Sequence, residues 1–451
     1  MFTIESVLST LSSWVWGPPL LLLLVGTGLY FTVQLGVMQL HRLPLALRLM
    51  FRRDDSAGDV SRFSALCTAL AATIGTGNIV GVATAVKLGG PGALFWMWLA
   101  GLFGMATKYA ECMLAVKYRR TDSRGEQVGG PMYYIADGLG KAWLAKVFAA
   151  FTLLVAFFGI GTFPQVNAIV DGAELALNVP RQLSMIILTV LVAAVVLGGI
   201  KRIARVATAL VPTMAIGYIM VCSALVLTNA DAVPAALGLI LHSAFNPVAA
   251  GGGFAGATVM MAIQFGIARG VFSNEAGLGS APMAAASAKT KSPVEQGLVS
   301  MTGPFFDTLI ICSLTGLALV ITGAWQGDAA GAAMTSQAMS DGLSTLVGSK
   351  VITIALLFFA FTTILGWCYY GERAVLFLAG EKYRLPYRMV FVALVAVGGL
   401  LQLDLIWLLA DVVNGLMAIP NLIALLWLRH EIVADTRAYF AAHSSLRSVR
   451  A

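Results

Sequence analysis

Gly75-Thr76-Gly77 interrupts an otherwise apolar stretch, with Ala71-Ala72-Thr73-Ile74 before it and Asn78-Ile79 after it. Where no water reaches, backbone N–H and C=O groups must find partners inside the protein, so a broken helix survives only against protein or a water-filled cavity. The half-helix that begins after Gly77 offers unpaired N–H groups and the positive end of a dipole, which suit a carboxylate. Carbonyls freed before Gly75 suit a hard cation, which takes several oxygen ligands. One break can therefore hold an anion and a cation side by side.

A second glycine-rich interruption runs from Gln264 to Gly279 and includes Gly266, Gly270, Asn274, Glu275, Gly277 and Gly279. Each interruption opens a set of five candidate helices, the pattern of an inverted-repeat transporter with a midplane site. Gly77–Gly81 and Gly266–Gly270 also carry the G-x-x-x-G spacing of helix packing. Their matching positions in the two halves favour the binding reading. Gly75-x-Gly77 is not a dinucleotide fingerprint, because Gly81 comes one residue too late and no strand precedes it. An ATP-binding P-loop is absent from the sequence. Cys67, Cys112, Cys222, Cys312 and Cys368 are scattered through apolar runs, and His41, His242, His430 and His443 are dispersed. Neither set has disulfide or metal-ligand spacing.

The elements that must position these residues are membrane helices. Of 451 residues, 59% are hydrophobic and 11% charged, against roughly 25% charged in a soluble domain. Eleven candidate spans lie near 17–38, 63–87, 92–116, 146–176, 183–200, 204–228, 250–288, 296–323, 350–378, 386–403 and 405–429. The expected division is one membrane domain: an extra helix at 17–38, repeats at 63–228 and 250–429, and a tail at 430–451. Alternate connections carry 24 of the 29 Lys and Arg residues. Basic residues accumulate on the cytoplasmic side, which puts the N-terminus outside and the C-terminus, with its tail, inside. That asymmetry accounts for the net charge of +7 without a nucleic-acid partner. Met1–Trp16 lacks a basic start and carries Glu5, unlike a cleaved signal peptide. Solvated charge is the preferred reading of the Arg437–Arg450 tail, with anionic lipid as the alternative.

Gly89-Gly90-Pro91-Gly92-Ala93-Leu94-Phe95-Trp96-Met97-Trp98-Leu99-Ala100-Gly101-Leu102-Phe103-Gly104 resembles the signature of the alanine/glycine:cation symporters, also called sodium:alanine symporters. It departs at Gly101, where that pattern has Ser, Thr, Ala or Val. Gly129–Tyr134 and Arg269–Pro282 also resemble the family, and the likeness spans nearly the whole chain. It implies an all-α, leucine-transporter-like fold of five plus five inverted helices with core helices 1 and 6 broken. The implied activity is symport of a small neutral amino acid, alanine or glycine, with sodium as coupling ion, across a bacterial inner membrane. No obligatory protein partner is implied.

By the same resemblance, the carboxylate would meet amides at Gly75, Thr76 and Gly77, flanked by Thr73 and Asn78. Sodium would lie among Ala71, Ile74, Phe359, Thr362 and Thr363, although adjacent threonines in a membrane helix also bond their own backbone. Trp367, one turn beyond Thr363, would limit the site to small side chains; its alternative is an interface tryptophan. Phe265, beside the helix-6 break, is a second wall or a packing aromatic. Gln165 follows Pro164, where a kink would free backbone groups, and would accept from the substrate amine, with Asn167 as the alternative. A polar side chain at such depth is costly without a partner. Lys108 and Glu111 are spaced to pair, and Arg269 and Glu275 flank the second interruption as a cytoplasmic gate or a structural pair. Glu275 or Asp307 could instead carry a proton. A channel would show a continuous polar stripe, and a membrane enzyme clustered nucleophiles or paired acids; the sequence shows neither, so no enzyme is expected.

Overall fold

The structure, a computed structural model, describes residues 4–54, 56–249, 255–343, 345–400 and 403–448. The expected start of the second repeat at 250 and the last residues of the tail lie outside them. Among the described residues, seven helices are long and apolar enough to cross a membrane, and an eighth span is a bent pair.

The chain opens with α1 (Ile4–Val15) and α2 (Pro18–Gln34). The bent pair follows. Its first half, α3 (Arg62–Thr73), starts where the Ser61 hydroxyl accepts from the Ser64 amide, the usual way to satisfy an orphan N–H. Its second half is a π-helical turn, Gly77–Gly81, continued by α4 (Val82–Gly89), and the two halves meet at 53°. Then come α5 (Ala93–Lys117), α6 (Ala142–Phe158), α7 (Phe163–Leu177), α8 (Arg181–Val196) and α9 (Gly199–Thr228). The second set begins with another interrupted span, α10 (Val259–Asn274) and α11 (Ala281–Ala286). A span built from α12 (Pro293–Ser300) and α13 (Ser313–Thr322) follows, then α14 (Thr345–Ala379), α15 (Arg384–Gly398) and α16 (Leu403–Trp427). A final helix, α17 (Arg429–Ser448), closes the chain. The eleven expected spans all have helical counterparts. Two of them, α8 and α15, are shorter than a straight crossing requires.

Helix α5 is the centre of the bundle, buried along most of its length, whereas α9 turns Ile216, Met220 and Leu227 outward. Both interrupted spans pack on α5 or on each other: α10 lies against α5 and α4, and α3 against α9 and α14. Two short helices in the connections, Val233–Phe245 and Gly331–Gly342, were not anticipated. Each is below span length, and only tertiary contacts place it. The Trp96 indole donates to the Ala244 carbonyl at 3.0 Å, and a Cβ on Gly92 would overlap the Ser243 backbone. That contact gives part of the glycine-rich stretch 89–104 a structural reason.

Candidate functional site

The break in the first core span is built by Asn78. Regular α-helical bonding ends with the Ile74 amide on the Leu70 carbonyl at 2.8 Å. The Gly75 amide then turns to the Asn78 side-chain oxygen at 2.9 Å. The Asn78 amide returns a bond to the Gly75 carbonyl at 3.3 Å, so side chain and backbone of Asn78 together close the turn that leads into the second half-helix. Two expectations change as a result. Asn78 is fully buried as the strut of the break rather than a pocket flank. The Gly75 N–H is already taken, which leaves Thr76 and Gly77 to supply donors at the start of the second half.

The other end of Asn78 reaches the second half of the fold. Its Nδ2 donates to Asp307 Oδ1 at 2.7 Å, while Asp307 Oδ2 accepts from the hydroxyls of Ser273 at 2.9 Å and Thr308 at 2.8 Å. Asn274 Nδ2 donates to the Thr308 hydroxyl at 2.9 Å, and its own oxygen accepts from the Ala276 amide at 2.9 Å. One buried carboxylate therefore laces both interrupted spans to the α12–α13 span.

The second interruption lies at 275–280, later than Gly266–Gly270. Helix α10 runs unbroken through those glycines, which pack on Ala93, Trp96 and Met97 of α5; there the packing reading of G-x-x-x-G holds. Glu275 ends α10 in a left-handed conformation, φ 55°, and Gly277 and Gly279 follow at φ 90° and 80°. Phe265 consequently sits more than two turns before the break. It lines a cavity of about 390 Å³ with Trp16, Gln264, Arg269 and Asp411, not the central site.

The buried charges also pair differently from the sequence expectation. Arg269 forms a two-bond pair with Asp411, at 3.0 and 2.9 Å, instead of facing Glu275. Glu275 accepts from the Trp367 indole at 3.0 Å and from the Ser280 hydroxyl. Lys108 Nζ donates to the Glu275 carbonyl at 3.1 Å, a cation at a helix C-terminus. Among the described residues no ion pair joins Lys108 to Glu111. Glu111 instead accepts from Asn421 Nδ2 at 2.7 Å, and Asn421 also holds the Gly277 carbonyl at 2.9 Å.

Around the first break, the structure gathers several expected residues. Thr363 Oγ1 donates to the Phe359 carbonyl at 2.9 Å and lies 3.5 Å from the Ile74 carbonyl. Thr362 donates to the same Phe359 carbonyl at 3.0 Å, with Met214 Sδ at 3.7 Å. Close approach of α14 to α3 is possible because a Cβ on Gly366 would stand 2.8 Å from Ala72 Cβ. Ala71 is buried on the last turns of α3, and Thr73 back-bonds its own helix at 3.4 Å. Gln165 Nε2 donates to the Thr76 hydroxyl at 3.0 Å and the Ile160 carbonyl at 3.1 Å. Its Oε1 is buried with no hydrogen-bond partner among the described residues, and a Cβ on Gly75 would be 3.6 Å from it. Asn167 belongs elsewhere, donating to the Gly398 carbonyl at 2.9 Å. Trp367 is fully buried with its ring stacked edge-on to Tyr370 and close to Gly161, so it is no interface tryptophan.

Sequence reasoning missed Ser273, Asn274 and Asn421. The run Ser273-Asn274-Glu275 ahead of Ala276-Gly277 was the signal for the first two. Asn421 follows Pro420 in an apolar helix and gave only a weak one.

The comparisons with known proteins agree with this architecture. The profile described as Sodium:alanine symporter family matches residues 1–449. An uncharacterised transporter of Haemophilus influenzae is 59% identical over 440 residues, covering 97% of this chain and 96% of that protein. The sodium/alanine symporter AgcS of Methanococcus maripaludis is 49% identical over 444 residues, covering 96% and 97%. Among solved structures, a manganese transporter of Eremococcus coleocola aligns with a TM-score of 0.52 at 14% identity, over 82% of this chain and 80% of that one; this likeness concerns fold alone. The chain is therefore a membrane transporter, not an enzyme, and it belongs to the sodium:alanine symporter family.

Proposed function

We propose that this protein couples sodium entry to uptake of alanine or glycine by alternating access, as one transporting unit with repeats at 63–228 and 250–429. The observation that carries the reading is the pair of environments at the Gly75 break. On one side stand the Ile74 and Phe359 carbonyls with the Thr363 hydroxyl; on the other stands the partnerless Gln165 Oε1. The first is an oxygen set for a hard cation. The second is an acceptor for an ammonium.

In this reading the amides of Thr76 and Gly77 hold the carboxylate, Gln165 Oε1 takes the ammonium, and Trp367 confines the side chain. Ala71, Ile74, Phe359, Thr362 and Thr363 surround sodium, and Asn78 sets the break's shape. The N-terminus is outside and the C-terminus in the cytoplasm, so α3 is the inner half of its span and the cation lies beneath the substrate. One charge moving through 100 mV supplies about 2.3 kcal/mol, enough for roughly a fiftyfold gradient.

A proton in place of sodium is the second reading, favoured by Glu275 and Asp307, fully buried carboxylates outside every ion pair among the described residues. Proteoliposomes loaded without sodium decide between them. Labelled alanine should accumulate when an inward sodium gradient is imposed. Equal accumulation with choline outside and only a proton gradient would overturn sodium coupling.

A further inference from the structure

At the end of α2 the chain reverses through Gly36 and Val37, both left-handed at φ 66° and 55°. A β-branched residue rarely adopts that conformation. The reversal leads into a short helix, Met38–His41, and opens a cavity of about 480 Å³ against α17. Three basic side chains line it, His41, Arg42 and Arg437, beside the apolar Leu35, Met38 and Phe440, and no acidic side chain among the described residues does.

The charge there is unbalanced for a definite reason. The two carboxylates of α17 closest in sequence, Glu431 and Asp435, are both taken by Lys117, the latter at 2.5 Å. Glu295, which reaches toward α17 through Tyr439 at 2.9 Å, is held by Arg62 at 2.5 Å. Among the described residues no ion pair includes His41, Arg42 or Arg437. The Arg42 guanidinium instead lies 4.3 Å from the centre of the Phe440 ring, which fixes its position while leaving its N–H donors for another partner. Guanidinium groups match phosphate oxygens in bidentate geometry.

The surroundings select the source of that phosphate. Helix α2 exposes Leu22, Leu29 and Val33, an apolar strip that descends the membrane-facing side and ends at Gln34 and Leu35 on the cavity's rim. A free phosphate would use none of it. We propose that this cavity binds the headgroup phosphate of one anionic phospholipid, whose acyl chains lie along that strip, and so bridges the N-terminal helices to α17. The cytoplasmic placement rests on the orientation proposed above; the binding itself does not.

The test is native mass spectrometry of the whole chain in mild detergent, titrated with dimyristoyl phosphatidylglycerol, dimyristoyl phosphatidylcholine and inorganic phosphate in separate arms. One phosphatidylglycerol should bind in preference to phosphatidylcholine, undisplaced by millimolar phosphate. Arg42→Gln with Arg437→Gln should weaken it by about twenty-five-fold, at about fivefold for each basic side chain near an anionic surface. Arg429→Gln, basic and outside the cavity, should leave it intact. Equal weakening by Arg429→Gln, equal binding of phosphatidylcholine, or displacement by phosphate would each overturn the assignment. Photo-crosslinking of the unmodified protein with a phosphatidylglycerol probe needs no variant to fold: labelled peptides should contain Met38–Arg42 or Arg437–Phe440, and labelling confined elsewhere would refute the site. None of these arms involves sodium or amino acid, so their failure leaves the transport reading standing.

Discussion

The indole of Trp367 and the carboxylate of Glu275 meet at 3.0 Å in a place where neither has solvent contact. That bond fastens α14, which carries both candidate sodium threonines, to the interruption between α10 and α11. Trp367 is therefore an anchor, in addition to the wall proposed above. Trp367→Phe keeps an aromatic ring and removes the donor, leaving Glu275 one bond short at about 1–3 kcal/mol. We expect a lower melting temperature and slower uptake with small-substrate preference retained. Trp367→Ala should in addition admit larger substrates. Competition of labelled alanine uptake by leucine, with a thermal melt of each variant, separates the two roles; a melt change with no altered competition in Trp367→Ala would leave only the anchor.

Thr363 offers the cleanest probe of the coupling ion. Its hydroxyl lies between the Ile74 and Phe359 carbonyls, and Thr363→Ala removes one oxygen without opening a large void. The sodium concentration for half-maximal uptake should rise about tenfold, the loss of roughly one hydrogen-bond-sized ligand. Thr363→Ser should restore it. Unchanged sodium activation in the alanine variant would exclude this group from the cation site.

Much of this arrangement was legible in the chain because the membrane imposes strong rules. Span positions, the charge alternation and the Gly75 break follow from apolar length, basic loops and backbone satisfaction, whereas the nearness of Thr363 to Ile74 was expected only from the resemblance to the sodium:alanine symporters. The second interruption was harder. Gly266 and Gly270 looked like a break but pack on α5, whereas the true break rests on Glu275 adopting a left-handed conformation. Side-chain partners were the least readable. Arg269 finds Asp411 across 142 residues, and Asn78 finds Asp307 across 229. No local spacing encodes either meeting.

Gln165 is held by one end only. Its Nε2 is fixed by Thr76 and Ile160, while Oε1 has no partner among the described residues. Gln165→Leu abolishes both the anchor and the acceptor, so the apparent affinity for alanine should fall about tenfold or more, with the sodium requirement unchanged. Transport kinetics across alanine concentrations at saturating sodium make the measurement. A variant with reduced maximal rate and unaltered affinity would assign Gln165 to helix positioning alone.

Asn78 should behave as a structural strut. Asn78→Ala strips the Gly75 amide of its acceptor and Asp307 of its amide donor, two buried losses of about 1–3 kcal/mol each. Reduced folded yield and a lowered melt should dominate, with the sodium and alanine affinities of the surviving protein little changed. Asn78→Asp should be worse, since it sets a second carboxylate against Asp307. Normal stability with lost alanine binding in Asn78→Ala would return this residue to the pocket.

Outside the membrane, Glu126 gives a pH-dependent test of the loop that joins α5 to α6. It accepts from Arg384 at 2.8 Å and from Arg373 at 3.1 Å, and Arg384 also holds Asp122 at 2.8 Å. Burial pushes the Glu126 carboxyl up, but the two guanidinium groups outweigh it and hold it below its ordinary 4.5. A carboxyl whose folded value is depressed stabilises fully above its unfolded value, and that contribution is lost as pH falls through the folded value. Glu126→Gln should therefore lower stability by about 2 kcal/mol near neutral pH. The figure is less than for a fully buried pair, because Glu372 still accepts from Arg373 at 3.3 Å and Arg388 at 2.5 Å. The gap between the native and variant melting temperatures should stay constant from pH 7 to about 5 and close only below the ordinary glutamate range. A gap that narrows between pH 7 and 6 would mean that a histidine or a raised carboxyl, not Glu126, governs the stability of this loop.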